Sequence, residues 1–339
     1  YNIGVTAVTE GDICKKEWVE AINKMNLTIV PSEFAKQVII NSAKKFEVPL
    51  NSNIQVVSEY FNETIYNKKN IDKKYMQELN EIHESFCYLF VGHWLQGHIG
   101  EDRKNVTGLI QTFFDTFKNS QKTPALILKT SGATYSITDK WDIEKKINEI
   151  RSNFSESTKL PNIYLLHGDL SDDEMNNLYN HQKVKAMVSF TKGEGFGRPL
   201  LEFSTTGKPI IAPVYSGQKD FLEHVVALQG GLTEVHHSAR NEWIIEGSKW
   251  FTPNYEFAKK ALKQEYKHYN KYLPFSREQK KFVNENFTKK AISKQYEKVL
   301  KIIQSSVDLI PSPQKLELPK LNLPKIDSPK EKFPKLTKV

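Results

Sequence analysis

Between residues 190 and 203 the chain reads FTKGEGFGRPLLEF. Gly193, Gly195 and Gly197 alternate, Pro199 follows, and Glu194 and Glu202 stand either side of the proline. The apolar run Ala186–Phe190 reads as a strand. Pro199 is favoured at the first turn of a helix, and Gly207 supplies its end. Strand, glycine loop and helix together point free backbone N–H groups and the positive end of a helix dipole at an anion, with phosphate the natural client. Three phosphate loops can be tested. GxxxxGK fails, because the Gly207-Lys208 pair has Glu202 where the first glycine belongs. GxGxxG fails at Arg198, and the segment lies deep in the chain, not at a first strand. The HRD and DFG of a kinase are absent. A phosphate loop remains; ATP hydrolysis and NAD chemistry do not.

The glutamates narrow the client. A carboxylate near a helix start stays ionised and offers two acceptors, which suits vicinal hydroxyls. Two diols separated by a diphosphate describe a nucleotide sugar. On spacing alone a plainer alternative stays open, with Glu202 complementing the helix dipole and Glu194 solvated.

The elements that must position these residues alternate along the chain. Short apolar runs predict strands at Asn2–Val8, Leu27–Val30, Ile54–Val57, Cys87–Val91, Ala125–Lys129, Ile163–His167, Ala186–Phe190 and Pro209–Ala212. None alternates cleanly, as expected of strands buried on both faces. Helical patterns lie between them at Lys16–Asn26, Glu33–Phe46, Val106–Asn119, Ile143–Asn153 and Asp172–Asn180, the last opened by Ser171-Asp172-Asp173-Glu174. This is an α/β chain with parallel sheets. Residues 66–84 are polar and read as a connector containing a helix. Strand signals end near residue 250, and helices are expected over Tyr255–Tyr272 and Arg277–Ser305.

At 339 residues and 39% hydrophobic content, about two domains with a sizeable core are expected. No apolar run is long enough to span a membrane. Cys14 and Cys87 are far apart and read as small core residues, in keeping with a reducing compartment. The net charge of +8 is uneven: seven lysines and three acids follow Pro311, leaving 41 basic and 37 acidic residues elsewhere. A body so balanced does not predict nucleic-acid binding. In the tail Pro-Lys recurs at 319, 324, 329 and 334, which favours an extended, solvated segment with room for docking on an acidic partner or a membrane surface. His93 and His98 have metal-pair spacing but no third ligand in sequence, and His236-His237 reads as exposed loop.

GEGFGRPLLEF, with its E-x7-E pair Glu194 and Glu202, resembles the donor-site motif of retaining GT-B glycosyltransferases, family four in particular. Other segments agree in order: VPSEFAKQV at 30–38, VVSEYFNETIY at 56–66, LFVGHW at 89–94, DRKNVTGLI at 102–110, NIYLLHGDLSDDEMNNLY at 162–179 and GKPIIAPVYSGQKDFL at 207–222. The resemblance covers about residues 1–305 and extends to virus-encoded members. It implies two Rossmann-like domains facing a cleft. Residues 1–65 would be the end of the acceptor-side domain, 66–84 a linker, 85–275 the donor-binding domain, 276–305 terminal helices and 306–339 a disordered Pro/Lys-rich tail. The abrupt start, without methionine, then reads as truncation of the acceptor-side domain. Cytoplasmic location, in the host if virus-encoded, is the matching expectation.

The resemblance also implies roles. Lys104 matches the family's diphosphate-binding lysine. His93 stands where the family has arginine, and Arg103 or Arg198 would compensate for the lost cation. Glu194 would hold donor-sugar hydroxyls near the reacting carbon, with Gly195, Phe196 and Gly197 giving backbone contacts, and Glu202 would bind the ribose. No Asp-x-Asp pair exists in the sequence, so no metal is expected. The expected activity is metal-independent, retaining transfer of a hexose from a UDP-, GDP- or ADP-sugar to an unknown acceptor. The competing expectation is a catalytically silent nucleotide-sugar-binding scaffold that docks partners through its Pro-Lys tail.

Overall fold

The computed structural model describes residues 1–307, except 73, 96, 98, 99 and 133, together with 336–338. The chain opens with three parallel strands, β1 (Ile3–Val5), β2 (Leu27–Val30) and β3 (Asn53–Val56), ordered β1-β2-β3. Helices α1 (Lys16–Ile22) and α2 (Glu33–Lys45) make the crossovers. Ser32 starts α2 as an N-cap, its hydroxyl accepting from the Ala35 N–H at 3.1 Å.

The larger sheet is built from β4 (Cys87–Val91), β5 (Ala125–Lys129), β6 (Ile163–Leu166), β7 (Val184–Val188), β8 (Ile210–Ala212) and β9 (Val226–Ala227). A small antiparallel pair follows, β10 (Gly230–Glu234) with β11 (Lys249–Pro253). A last strand, β12 (Leu336–Lys338), adds antiparallel to β6, giving the order β12-β6-β5-β4-β7-β8-β9. The rest of the Pro-Lys tail lies outside the described residues. Parallel crossovers run through α3 (Val106–Phe117), α4 (Ile137–Arg151), α5 (Asp172–Asn180) and α6 (Arg198–Ser204). Three helices follow β11: α7 (Tyr255–Lys267), α8 (Tyr269–Asn286) and α9 (Lys289–Val307).

Alternate residues of β4 and β5 feed two separate cores. Cys87, Leu89, Ala125 and Ile127 join one cluster, while Tyr88, Phe90, Leu126 and Leu128 join the other with Phe113, Phe114 and Leu262. Each fully buried Leu or Phe stabilises the fold by about 1.5–3 kcal/mol, so both faces must be covered by helices. That requirement explains why these strands read as unbroken apolar runs.

The expected elements differ from the observed ones where burial is one-sided. α4 begins at Ile137 and not Ile143, because Ser136 caps it (3.1 Å to the Asp139 N–H) while Ile137 and Trp141 point outward. The connector contains two 3-10 turns, Lys68–Asn70 and Gln77–Glu81. The pair β10/β11 was not anticipated, since Gly230–Glu234 is exposed throughout and carries no apolar run. Helix Tyr255–Tyr272 is in fact broken at His268, and Pro274 sits inside α8.

The two sheets meet through backbone and side-chain bonds. The Phe61 N–H donates to the Phe287 carbonyl at 3.2 Å, and the Ser58 N–H to Gln295 at 3.0 Å, so α9 returns across β3. Opposite, Ser32 Oγ donates to the Gly195 carbonyl at 2.7 Å and the Glu33 N–H to Asp220 at 2.9 Å. The chain turns about the β4–β7 seam, with β5 and β6 on one side and β8 on the other. In an open parallel sheet that reversal opens a crevice at the strand C-termini.

Candidate functional site

Two loops leave the β4–β7 seam on its carboxyl side. The loop after β4 carries Arg103 and Lys104, and the loop after β7 carries Gly193 to Gly197. The second is shaped by close approach. A side chain at Gly193 would strike the backbone of Glu10, and Gly197 holds φ at +101° as the N-cap of α6, a conformation that favours glycine. Phe196 turns its ring into the core against Phe221 (centroids 5.2 Å apart) and Phe287, leaving its backbone in the loop.

Glu194 is the centre of the first cluster. Its carboxylate accepts from Lys104 Nζ at 2.5 Å, from Thr191 Oγ1 at 2.6 Å and from Arg103 Nη1 at 3.2 Å. Its own N–H donates to Ser216 Oγ at 2.9 Å. Burial pushes the carboxyl pKa upward, but the Lys104 and Arg103 charges overcome it and hold it at about 2. Burial draws Lys104 below the ordinary lysine value against the pull of Glu194. Arg103 also reaches the Gly193 carbonyl at 2.8 Å and Glu10 at 3.4 Å. Glu194 is therefore not solvated.

His93 lies beside this cluster, its Nδ1 at 3.0 Å from Ser131 Oγ. Burial first, then the charges of Lys104, Lys129 and Arg103, lower its pKa below the ordinary imidazole value. It is neutral at pH 7 and supplies none of the charge of an arginine. His98 is outside the described residues, and among the described residues no three His, Cys, Asp or Glu side chains gather as a metal site. His236 is half-buried and caps a 3-10 turn at His237–Ala239, while His237 is exposed.

Glu202 belongs to a second cluster. Tyr179 donates to it at 3.3 Å and Arg198 Nη2 at 3.2 Å, while Tyr66 donates to Asp172 at 3.0 Å. Glu202 sits in the body of α6, not at its start. Burial raises its pKa to about 7, with Arg198 opposing and Asp172 adding to the rise. The expectation of a permanently ionised carboxylate is corrected on this point: desolvation outweighs the single half-exposed guanidinium. Arg198 is shared between Glu202 and Glu59, the latter at 3.7 Å. It lines a cavity of about 540 Å³ with Asp172 and the ends of β1, β2 and β3. Of the two arginines, Arg103 is the one beside Lys104.

The sequence reading missed Glu10, Thr191, Ser216, Tyr66, Tyr179, Asp172 and Glu59. The only local signal was Thr191, three residues before Glu194 in the same loop; the others arrive from distant segments.

This geometry agrees with comparisons to known proteins. Residues 72–246, more than half of the chain, match the model of the glycosyl transferases group 1 family. The chain belongs to that family. Its fold is similar to Anabaena HepE, solved with UDP and glucose (TM-score 0.57, 14% identity, 86% of this chain and 66% of that one). It is likewise similar to α,α-trehalose 6-phosphate synthase from Burkholderia multivorans (TM-score 0.61, 8% identity, 86% and 62%) and a Rickettsia africae glycosyltransferase (TM-score 0.60, 12% identity, 86% and 68%). The architecture is GT-B, and the chain spans about two thirds of the length of these structures. No curated protein matches the sequence. No helix among the described residues is long and apolar enough to cross a membrane.

Proposed function

We propose that this chain binds a nucleotide sugar at the β4–β7 seam and transfers its hexose, with retention and without a metal ion. The observation that carries the reading is the buried Glu194 carboxylate fixed between Lys104 and Arg103. These two cations are gathered where a leaving diphosphate develops charge, and such preorganised stabilisation is commonly the largest contribution to catalysis. The acceptor O–H adds to the anomeric carbon as its bond to the diphosphate breaks, and the hydroxyl proton passes to the departing phosphate oxygen. Glu194 aligns sugar hydroxyls, the backbone of Gly195 to Gly197 lines the loop, and Glu202 takes the ribose. Residues 1–65 contribute the facing wall, and 85–275 hold the donor. UDP is the first nucleotide to test, since HepE was solved with UDP and glucose.

The test screens UDP-, GDP- and ADP-sugars for binding and slow hydrolysis in EDTA. Turnover in EDTA upholds the proposal, and loss of turnover on chelation refutes its metal-free part. Glu194→Gln is expected to lower turnover about 100-fold with little change in donor affinity. Glu202→Ala weakens donor binding, and unchanged affinity there removes the ribose assignment. A second reading, a silent nucleotide-sugar-binding scaffold, draws on the neutral His93; binding without turnover favours it.

A further inference from the structure

A second cavity of about 540 Å³ lies on the other side of Arg103, between α4, the start of the loop after β4, and the excursion joining β10 to β11. Its walls include Trp94, Trp243, Asp139, Asp142, Lys146 and Arg103. A volume in this range holds a small ligand. Two carboxylates face two cations, so the lining has no excess charge to recruit a phosphate or another polyanion.

Trp243 is 51% exposed, yet it is held in place from both sides. Asn241 Oδ1 accepts from the Trp243 N–H at 2.7 Å and the Ile244 N–H at 2.9 Å. The Trp243 carbonyl accepts from Thr9 Oγ1 at 2.9 Å, and its ring leans on Trp18 with centroids 5.3 Å apart. With its backbone N–H and carbonyl both bonded and its ring resting on Trp18, the exposed indole is a prepared platform, apolar on its face and bordered by acceptors and donors. Trp94 is different. It is buried, with Lys146 Nζ 5.2 Å from its ring centre, and forms floor and not platform. Asp139 is ionised and already oriented, accepting from the Gly132 N–H at 2.9 Å and engaging His167 at 2.8 Å.

We infer that this cavity is an acceptor subsite that takes a neutral hexopyranose residue, stacked on Trp243 with its hydroxyls on Asp139, Asp142 and Lys146. An apolar sugar face with equatorial hydroxyls around it matches an indole bordered by carboxylates and an ammonium. Arg103 joins the subsite to the reacting centre, since it lines the cavity and its guanidinium bonds Glu194 at 3.2 Å. The inference rests on the glycosyltransferase reading and gives its acceptor a chemical class.

The test is saturation-transfer NMR on the 339-residue chain with methyl α-glucoside, methyl α-mannoside and methyl β-galactoside, repeated with UDP-glucose, GDP-mannose or ADP-glucose, whichever binds. At least one glycoside is expected to bind together with the nucleotide sugar. Trp243→Ala should weaken that glycoside at least ~10-fold and Trp243→Phe no more than ~3-fold, with nucleotide affinity serving as the check on folding. Displacement of the glycoside by the nucleotide sugar would overturn the proposal, because the cavity would then hold the donor hexose. It is equally overturned by no glycoside binding in a chain that binds nucleotide, or by Trp243→Ala binding as tightly as the parent. Failure to bind any nucleotide, with a Trp243-dependent glycoside signal intact, refutes the donor reading and upholds the saccharide site.

Discussion

Glu194 and Glu202 come from one short loop-helix segment and are both buried, yet their surroundings drive them in opposite directions. Glu194 meets two cations and a hydroxyl and is held at about 2, whereas Glu202 meets two phenols and one half-exposed guanidinium and is raised to about 7. The first is a fixed negative charge whose loss leaves its partners stranded. The second is a group that changes charge where the protein works. Spacing along the chain does not separate these behaviours; the number of cations arriving from elsewhere in the fold does.

The strongest way to break the comparison is to remove the cation. Lys104→Met leaves a buried carboxylate with Arg103 alone and should cost about 3 kcal/mol in urea unfolding at pH 7. Adding Glu194→Gln to that variant should recover more than half of the loss. Glu202→Gln should instead gain on the order of 1–2 kcal/mol at pH 7, because the fold raises this carboxyl from 4.5 to about 7 while the unfolded chain ionises it freely there. Equal losses for the two glutamate environments would show that they do not differ as described. The pH dependence has opposite signs. A carboxyl depressed to about 2 from 4.5 adds stability above pH 4.5 that is lost as pH falls towards 2. One raised to about 7 adds stability below pH 4.5 that is lost as pH rises through 7.

Glu265 on α7 extends the contrast to its limit. It is fully buried, neither carboxylate oxygen meets the hydrogen-bond geometry with a partner among the described residues, and the neighbouring Tyr88 hydroxyl is committed to the Leu262 carbonyl at 2.8 Å. Burial takes the carboxyl up to about 8, and the Tyr88 hydroxyl opposes the rise only in part. Stability should therefore fall as pH rises from 4.5 to 8. Glu265→Gln should flatten that fall and gain on the order of 2 kcal/mol above pH 8, read from thermal melts across the range. A parent protein with no such slope would remove the argument from burial.

Between these sits donor affinity. If Glu202 receives ribose hydroxyls, it does so best as a carboxylate, so affinity for the nucleotide sugar should rise up to ~10-fold from pH 6 to pH 8. Calorimetry at several pH values checks this, and Glu202→Gln should lose the rise. Glu194 is ionised throughout that window and contributes no slope.

Strands buried on both faces, and a helix with its own cap, were the legible elements. Leu27–Val30, Cys87–Val91, Ala125–Lys129 and Asp172–Asn180 have the same limits in sequence and structure. In the strands nearly every residue is buried and most are apolar, and in α5 the reciprocal bonds between Ser171 and Glu174 mark the start locally. The site was legible in its glycine loop and in Lys104, which lie on short segments with their own spacing. Its electrostatics were not. Tyr66, Tyr179 and Asp172 around Glu202, and Glu10 beside Arg103, come together through tertiary packing that no local pattern encodes. β10 and β11 escaped because they are joined by an excursion whose residues alternate exposed and buried without apolar periodicity, although Trp243 lies within it.

Arg198 provides the smallest expected effect and the finest test. From the sequence it stood at the loop-helix junction, as suited to a phosphate as Arg103. In the fold its guanidinium bonds Glu202 at 3.2 Å and Glu59 at 3.7 Å, while Arg103 bonds the same carboxylate as Lys104. If Arg198 acts through Glu202, Arg198→Gln removes the one charge holding that carboxyl down and moves its titration to higher pH. Donor affinity should then fall only ~2- to 3-fold at pH 7, as for an exposed ion pair, and return towards the parent value at pH 9. Arg103→Gln should lose more and recover nothing with pH, since neither Glu194 nor a diphosphate changes charge in that range. A loss in Arg198→Gln that is large and independent of pH would place Arg198 on the phosphate, and the cation that His93 lacks would then be supplied from α6 and not from the loop after β4.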